Sequence, residues 1–570
     1  MHRIIFVLYL LTIFFKIPLS AQKNLPQDYF RLPLDIKPVI TGFFGELRAN
    51  HFHTGLDFST EGKKNIEVCA IANGYVSRIK VSPFGYGKAI YITHPNGFVS
   101  VYGHLNNFNI IVDDYVKKQQ YEQQSFEIEL FPNPELFKIN KGDIIGYSGN
   151  TGASSGPHLH FEIRSELSER PINPLLFGYK ITDNDKPVIK KICIVPANRY
   201  ALINEKNEKY WIEPVVKNNE YQVKDTSRVS GSIYLGVVAN DIIGYAKYCG
   251  IYSIEVHVDS ALFFKIGFDS ISFDEGRYVN TLIDYNEYSL KDIRQVNTYK
   301  APGNRLNIYK HYIGNGTLFF NDTNYHRIKI TVTDFNENMA SSEMIVKSVT
   351  LTPPGKTQEK NAGTLIHYGI RKHFEDKNLI IDIPPDAFFD SVYFDYGSTP
   401  QTKETYSDIY SIHNKFTPLF ASVSIKIKPN QTANSSMQNK LCIARVRNNS
   451  YEYINSKWKN GFLCADIRQF GNYCIVSDTI IPEIKPEKKY IKIKSGDVLR
   501  FKIKDNFSGI GSYNLTMNGK WVLAEYDAKI SMLTYFVEDN HLLIGENELV
   551  LSVSDKLNNK NVYKTNITFE

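Results

Sequence analysis

Along most of this chain apolar residues recur at every second position, in short runs that end on clusters of Asn, Asp and Gly. Side chains alternate at period 2 on a strand and at 3.6 on a helix, so the pattern selects strands. No sustained 3.6-residue apolar period appears in the 570 residues, and 37 Tyr with 35 Phe add β-favouring side chains. The expected fold class is mainly all-β. Hydrophobic content of 42% against 22% charged residues is the balance of a globular chain. The length asks for several cores rather than one.

The start of the chain, MHRIIFVLYLLTIFFKIPLSAQ, has Arg3, an apolar run from Ile4 to Phe15 and a small-residue end at Ser20-Ala21. This is the layout of a signal peptide over residues 1–21, and the run is shorter than the ~20 residues a membrane span needs. No later segment is long and apolar enough to span. The mature chain is therefore expected to be exported to the periplasm or cell envelope, or secreted, with no membrane span. The net charge of +6 is mild and comes with no basic patch interleaved with aromatics, so nucleic acid is not an expected partner. The six cysteines, Cys69, Cys193, Cys249, Cys442, Cys464 and Cys474, contain no CxxC pair and give no support to a cysteine zinc site. In an oxidising compartment Cys193 with Cys249, or two of the last three, are candidate disulfides.

Two stretches carry chemistry. In GPHLHFEIR (Gly156 to Arg164) a strand puts His158, His160, Glu162 and Arg164 on one face and Leu159, Phe161 and Ile163 on the other. The apolar trio reads as core; the imidazoles need another reason. In HFHTGLDFS (His51 to Ser59) a strand reading aligns His53, Gly55 and Asp57. An imidazole and a carboxylate four residues apart, with one imidazole from the HxH strand, give three ligands, the number a catalytic zinc uses while keeping one position open. Gly55 would leave room for the ion. Proton transfer beside it would fall to His158, next to His160, and to His104 at the end of SVYGHL. Glu162 and Arg48 read equally as supports for a ligand or as an exposed ion pair, and Tyr86 as a groove residue or a turn residue. His51 and His94 read as ordinary histidines.

The order FGELR, HFHTGLDF, AIANGYVSRI, GYGKAIYITHPNG, VYGHL, KGDIIGYSGNTG and GPHLHFEIR resembles the M23 (lysostaphin-type) zinc metallopeptidases, over roughly Leu32 to Phe177. More narrowly, it looks like their long secreted Bacteroidetes-type members. The resemblance implies a lysostaphin-type antiparallel β catalytic domain, Zn²⁺ held by His53, Asp57 and His160, and catalytic roles for His104 and His158. It implies a zinc metalloendopeptidase whose partners are peptidoglycan peptides. Some relatives lack ligands and act as activators of other wall hydrolases, so the alternative is a catalytically silent envelope scaffold or activator. All five positions are present, which favours the enzyme.

Within this region GKAIYITHPNGFVSVYGHL reads as a hairpin turning at Pro95, Asn96 and Gly97. The stretch Asn106 to Asn140 is an insertion, with a helix expected over Asp114 to Gln124 and a strand at FEIELF; a loop of this length is expected to border the groove as a lid or selector. Beyond ITDNDKP the texture changes. DIIGYAKYCGIYSIEVHVDS (Asp241 to Ser260) and DNFSGIGSYNLTMNG (Asp505 to Gly519) share one layout, and each is followed by a strand ending in Asp with Asn four residues on: KITVTDFNEN and LSVSDKLNN. This reads as a repeated β-sandwich module. The expected division is a peptidase domain at 22–180, Ig-like β-sandwiches at 186–350 and 480–570, and a β-rich domain at 351–479 between them. Envelope proteins are the expected second class of partner, through the C-terminal β domains.

Overall fold

The computed structural model describes residues 25–570 except 218–219, 244–245, 351–362, 431–434, 449 and 539–541; the signal peptide expected at 1–21 lies outside the described residues. The chain is mainly β, as the alternation implies. Its N-terminal part is an antiparallel sheet built from β1 (Ile40–Gly42), β2 (Leu56–Ser59), β3 (Gly74–Val81), β4 (Lys88–Thr93), β5 (Phe98–Leu105), β6 (Ile128–Leu130) and β7 (His158–Ser165). The spatial order is β1-β2-β7-β5-β4-β3-β6. The expected hairpin is β4–β5, with Thr93 opposite Val99.

Leu159, Phe161 and Ile163 of β7 are all fully buried in the core beneath this sheet, with Leu56, Phe58 and Tyr102. Burying each is worth about 1.5–3 kcal/mol, and a slip of one residue would exchange them for the imidazoles. Hydrophobic burial therefore sets the register of β7 between its two neighbours. That register puts His160 opposite Asp57 on one side and Gly103 on the other, one residue before His104.

The insertion forms helix α1 (Ile110–Gln123), capped by Asn109, and the edge strand β6. Edge strand β6 lies at the far end of the sheet from β2 and β7, so the insertion does not border the groove; none of its residues lines the cavity described below. It carries instead the C-terminal sandwich: the Tyr121 ring is edge-on to Trp521 at 5.2 Å and Lys117 pairs with Glu538. Lys88 of β4 adds an ion pair to Glu525 at 3.0 Å.

Following this sheet, a long strand β8 (Ser227–Ile243) joins both layers of a sandwich. Its upper half pairs antiparallel with Val188–Pro196, and its first residues pair in parallel with Val346–Ser348. Gly231, at φ +81°, lies where the strand changes partners, a conformation costly for any side chain. Phe44 and Phe52, the residue before His53, are buried in this sandwich core beside Phe268. Residues 372–477 form two five-stranded sheets around their own core, and 483–569 form a four-stranded sheet packed on a five-stranded one. Among the described residues no disulfide joins the six cysteines, against the pairing considered for Cys193 with Cys249 and for the last three. No helix of the described residues is long and apolar enough to cross a membrane.

Candidate metal centre

A cavity of about 390 Å³ opens on the polar face of β7, lined by His53, Asp57, Tyr86, His104, His158 and His160 among others. All five site residues read from the sequence thus share one wall. Three atoms converge tightly: His53 Nε2 lies 3.0 Å from Asp57 Oδ1 and 3.1 Å from His160 Nδ1, and His160 Nδ1 lies 2.9 Å from Asp57 Oδ1. Tetrahedral zinc ligands at about 2.0–2.1 Å from the ion stand about 3.3 Å apart.

The tautomers follow from the other ring nitrogens. His53 Nδ1 faces the Phe43 carbonyl at 2.8 Å and His160 Nε2 faces Glu162 Oε1 at 2.8 Å. Both oxygens can only accept, so each imidazole spends its N–H there and turns a lone pair toward the other and toward Asp57. Two lone pairs and a carboxylate facing one point repel unless a cation lies between them. In the ion-free chain a proton takes that part. Burial alone would lower the His160 imidazole, yet hydrogen bonding to Asp57 and Glu162 outweighs it and holds the group up at about 9. Burial likewise opposes the charge on Asp57, but His53, His158 and His160 together keep its carboxyl well below the usual range. A donor set of two nitrogens and one carboxylate fits zinc.

His104 and His158 stand beside this triangle, their rings 4.8 Å apart. Each donates its Nδ1–H to a backbone carbonyl, Thr151 for His104 and Gly156 for His158, both at 2.8 Å. His158 Nε2 lies 3.6 Å from Asp57 Oδ1. His104 adopts φ +60°, a left-handed conformation uncommon outside Gly and Asn. Burial, with the His160 and His158 imidazoles beside it, pushes His104 down to about 3, so its ring is neutral.

Some details differ from the expectation. His53 lies in a break between the strands His51–Phe52 and β2, not on one continuous strand with Asp57. Gly55 is required by close packing and not by the ion: a Cβ there would stand 2.3 Å from the Phe161 carbonyl oxygen. It is Gly42 that guards the centre, since its Cβ would stand 2.3 Å from Asp57 Oδ2. Arg48 reaches that same oxygen at 3.5 Å. His94 is buried between Asn73 and Ser100, as an ordinary core histidine.

Glu162 is the residue the sequence undervalued. It is fully buried and accepts from His160, from Thr54 and Tyr86 at 2.6 Å each, and from Arg164 at 2.6 Å. Tyr86 in turn stacks on His160 at 5.0 Å. The signal was available: Glu162 is two residues beyond His160, on the same strand face. Replacing Glu162→Gln removes one acceptor and the charge opposite Arg164. The expected result is a zinc affinity about 10–100-fold weaker by chelator competition and a stability loss of about 3–5 kcal/mol by denaturant titration.

The profile described as Peptidase family M23 matches residues 51–121 and 136–174, passing over most of the stretch that follows α1. The N-terminal region belongs to peptidase family M23. A second profile, Zu5-like domain, matches residues 363–478. The M23 region is 32% identical over 123 residues to the DD-carboxypeptidase/endopeptidase Mpg of Neisseria meningitidis serogroup B, covering 22% of each chain. It is 28% identical to the peptidoglycan DD-endopeptidase ShyA of Vibrio cholerae, covering 27% of this chain and 30% of that one. The catalytic domain of lysostaphin from Staphylococcus simulans aligns at 25% identity and TM-score 0.18, over 24% of this chain and 87% of that one. This chain thus spans about a fifth of the length of the first of these relatives.

Proposed function

We propose that this chain is an exported zinc endopeptidase that hydrolyses peptide cross-links of bacterial peptidoglycan. The observation that carries the reading is the triangle of His53 Nε2, Asp57 Oδ1 and His160 Nδ1, with both imidazole N–H groups committed elsewhere. The M23 match and the names of the relatives, a DD-carboxypeptidase/endopeptidase and a peptidoglycan DD-endopeptidase, support the substrate class. Four main cores, the second of which also takes in Phe44, Phe52 and Phe389, support a division into 22–180, 186–350, 351–479 and 480–570.

When bound by these three residues, Zn²⁺ supplies a Lewis acid that polarises a carbonyl and lowers the pKa of a water toward about 7. The chain's own residues supply the rest. His104, neutral and with Nδ1–H fixed on Thr151, presents the Nε2 lone pair to the cavity, where it accepts a proton from the attacking water and passes it to the leaving amine. His158, held likewise on Gly156, presents Nε2 beside Asp57 and stabilises charge that develops on the substrate oxygen. Glu162 and Tyr86 keep the His160 ring in one orientation.

Purified sacculi incubated with the zinc-loaded chain are expected to release peptides cut at cross-links, identified by mass. Chelation stops release and zinc restores it. A chain that holds zinc and releases no peptide from sacculi or from isolated cross-linked fragments overturns the proposal.

A further inference from the structure

Outside the peptidase cavity, among the described residues, two places gather three carboxylates: Asp183, Asp241 and Asp334, and Asp478, Asp505 and Asp555. In each, every residue offers one oxygen and these oxygens all lie within 4.8 Å of one another. The two sets occupy equivalent positions in the repeated module. Asp183 and Asp478 stand in the segments that enter the two sandwiches, ITDNDKP and VSDTIIP. Asp241 and Asp505 open the two matched segments, and Asp334 and Asp555 end the strands of TVTDFNEN and SVSDKLNN.

The supporting hydrogen bonds repeat as well. Asn338 Nδ2 donates to Asp334 Oδ2 at 2.8 Å and to the Asp183 carbonyl at 3.3 Å. Asn559 Nδ2 donates to Asp555 Oδ2 at 2.6 Å and to the Asp478 carbonyl at 3.0 Å. In both modules one Asn ties the entering segment to the turn, so that three acids from three separate stretches face each other.

Acidic clusters are common on surfaces, but these are not surface clusters. Asp241 is 1% exposed, and its Oδ1 is buried with no hydrogen-bond partner, as is Asp183 Oδ2. In the second module Asp505 Oδ1 is buried and unpartnered, and so is the Oγ of Ser508, a residue 2% exposed whose N–H donates to Asp478 Oδ2 at 3.3 Å. Among the described residues no ion pair includes any of the six aspartates. Buried carboxylates without a cation are costly, and a bound ion is one of the few groups that satisfies them. Burial, with Asp183 and Asp334 beside it, pushes the Asp241 carboxyl up to about 7.

We propose that each triad binds one divalent cation of the size of Ca²⁺ and locks the segment entering its sandwich. The donors are all hard oxygens, which suit calcium and magnesium and not zinc. Magnesium demands near-ideal octahedral geometry and keeps several waters, whereas calcium accepts about 6–8 oxygens in flexible geometry, so three carboxylates from three separate stretches suit calcium. Backbone carbonyls and water complete the 6–8 oxygens calcium takes. The first site would join the end of the peptidase region to its sandwich, where Asn336 Nδ2 also donates to the Ile181 carbonyl at 2.7 Å. The second would hold the C-terminal sandwich that rests on α1.

The test uses the full chain, stripped of metal and reloaded with one equivalent of zinc, titrated with CaCl₂ by calorimetry and followed by thermal unfolding. Two equivalents of calcium are expected, with Tm rising as calcium is added. Asp241→Asn and Asp505→Asn should each lose one equivalent, the double variant both, while all keep their zinc. Without added calcium the single variants should unfold no earlier than the parent, because asparagine keeps a side-chain oxygen for the backbone N–H groups while removing a charge that no cation balances; this separates an ion site from a merely structural hydrogen bond. Parent protein that takes up no calcium at concentrations well above the 10⁻⁴–10⁻³ M range of extracellular modules overturns the proposal. So does a stoichiometry of two that survives both substitutions. Neither readout depends on hydrolysis, so the peptidase reading can fail separately.

Discussion

His160→Ala leaves a folded chain that no longer keeps zinc and no longer cuts cross-linked peptides. Among the described residues three side-chain atoms converge on the candidate centre, and His160 Nδ1 contacts both of the others. Two remaining ligands leave the ion largely to water. The loss should exceed the roughly 10–100-fold that follows from disturbing a mere neighbour of a ligand. The fold survives because Glu162, deprived of the imidazole N–H, still accepts from Thr54, Tyr86 and Arg164. The apolar trio that fixes β7 points away from the change. Metal content after dialysis, circular dichroism and sacculus digestion check the three parts together. A folded variant that retains a full equivalent of zinc and turns over within tenfold of the parent would mean that the triangle is not the centre.

How far the centre could be read from the chain depends on the range of each interaction. Alternation in LHFEIR is local, and it assigned the two faces of β7 correctly because burial of Leu159, Phe161 and Ile163 decides the face. The hairpin over Lys88–Leu105 is equally local, and its turn residues name it. That Asp57 stands directly opposite His160 is a cross-strand register, which no window of sequence contains; the M23 resemblance supplied it indirectly. Gly55 shows the limit. Its place in HxxxD suggested room for an ion, but the constraint comes from the backbone of β7, 106 residues later along the chain at Phe161. The insertion misled for a related reason: length predicted a lid, while edge pairing with β3 and contact with Trp521 carried it to the other end of the sheet. The aspartate triads were visible only as a repeat, since their members meet from segments up to about 150 residues apart.

His104→Asn is expected to separate metal binding from proton transfer. Asparagine suits the test on two physical grounds. It tolerates the left-handed backbone that position 104 adopts at φ +60°, where alanine would add strain of its own. Its side-chain amide also reaches about where Nδ1 stands, so it can still donate to the Thr151 carbonyl while the Nε2 lone pair is deleted. Because His104 contributes no atom to the triangle, zinc should stay at one equivalent with unchanged affinity. Removing the group that shuttles the proton should lower kcat about 10²–10⁴-fold, which is about 3–5 kcal/mol of transition-state stabilisation. KM should move little, since the imidazole acts on the water and the leaving amine and not on the bound peptide at large. Steady-state kinetics on a defined cross-linked muropeptide, with metal analysis of the same preparation, reads both quantities. Loss of zinc would make His104 a ligand or a support of one; an unchanged kcat would assign the proton to His158, the other imidazole whose Nε2 is turned to the cavity.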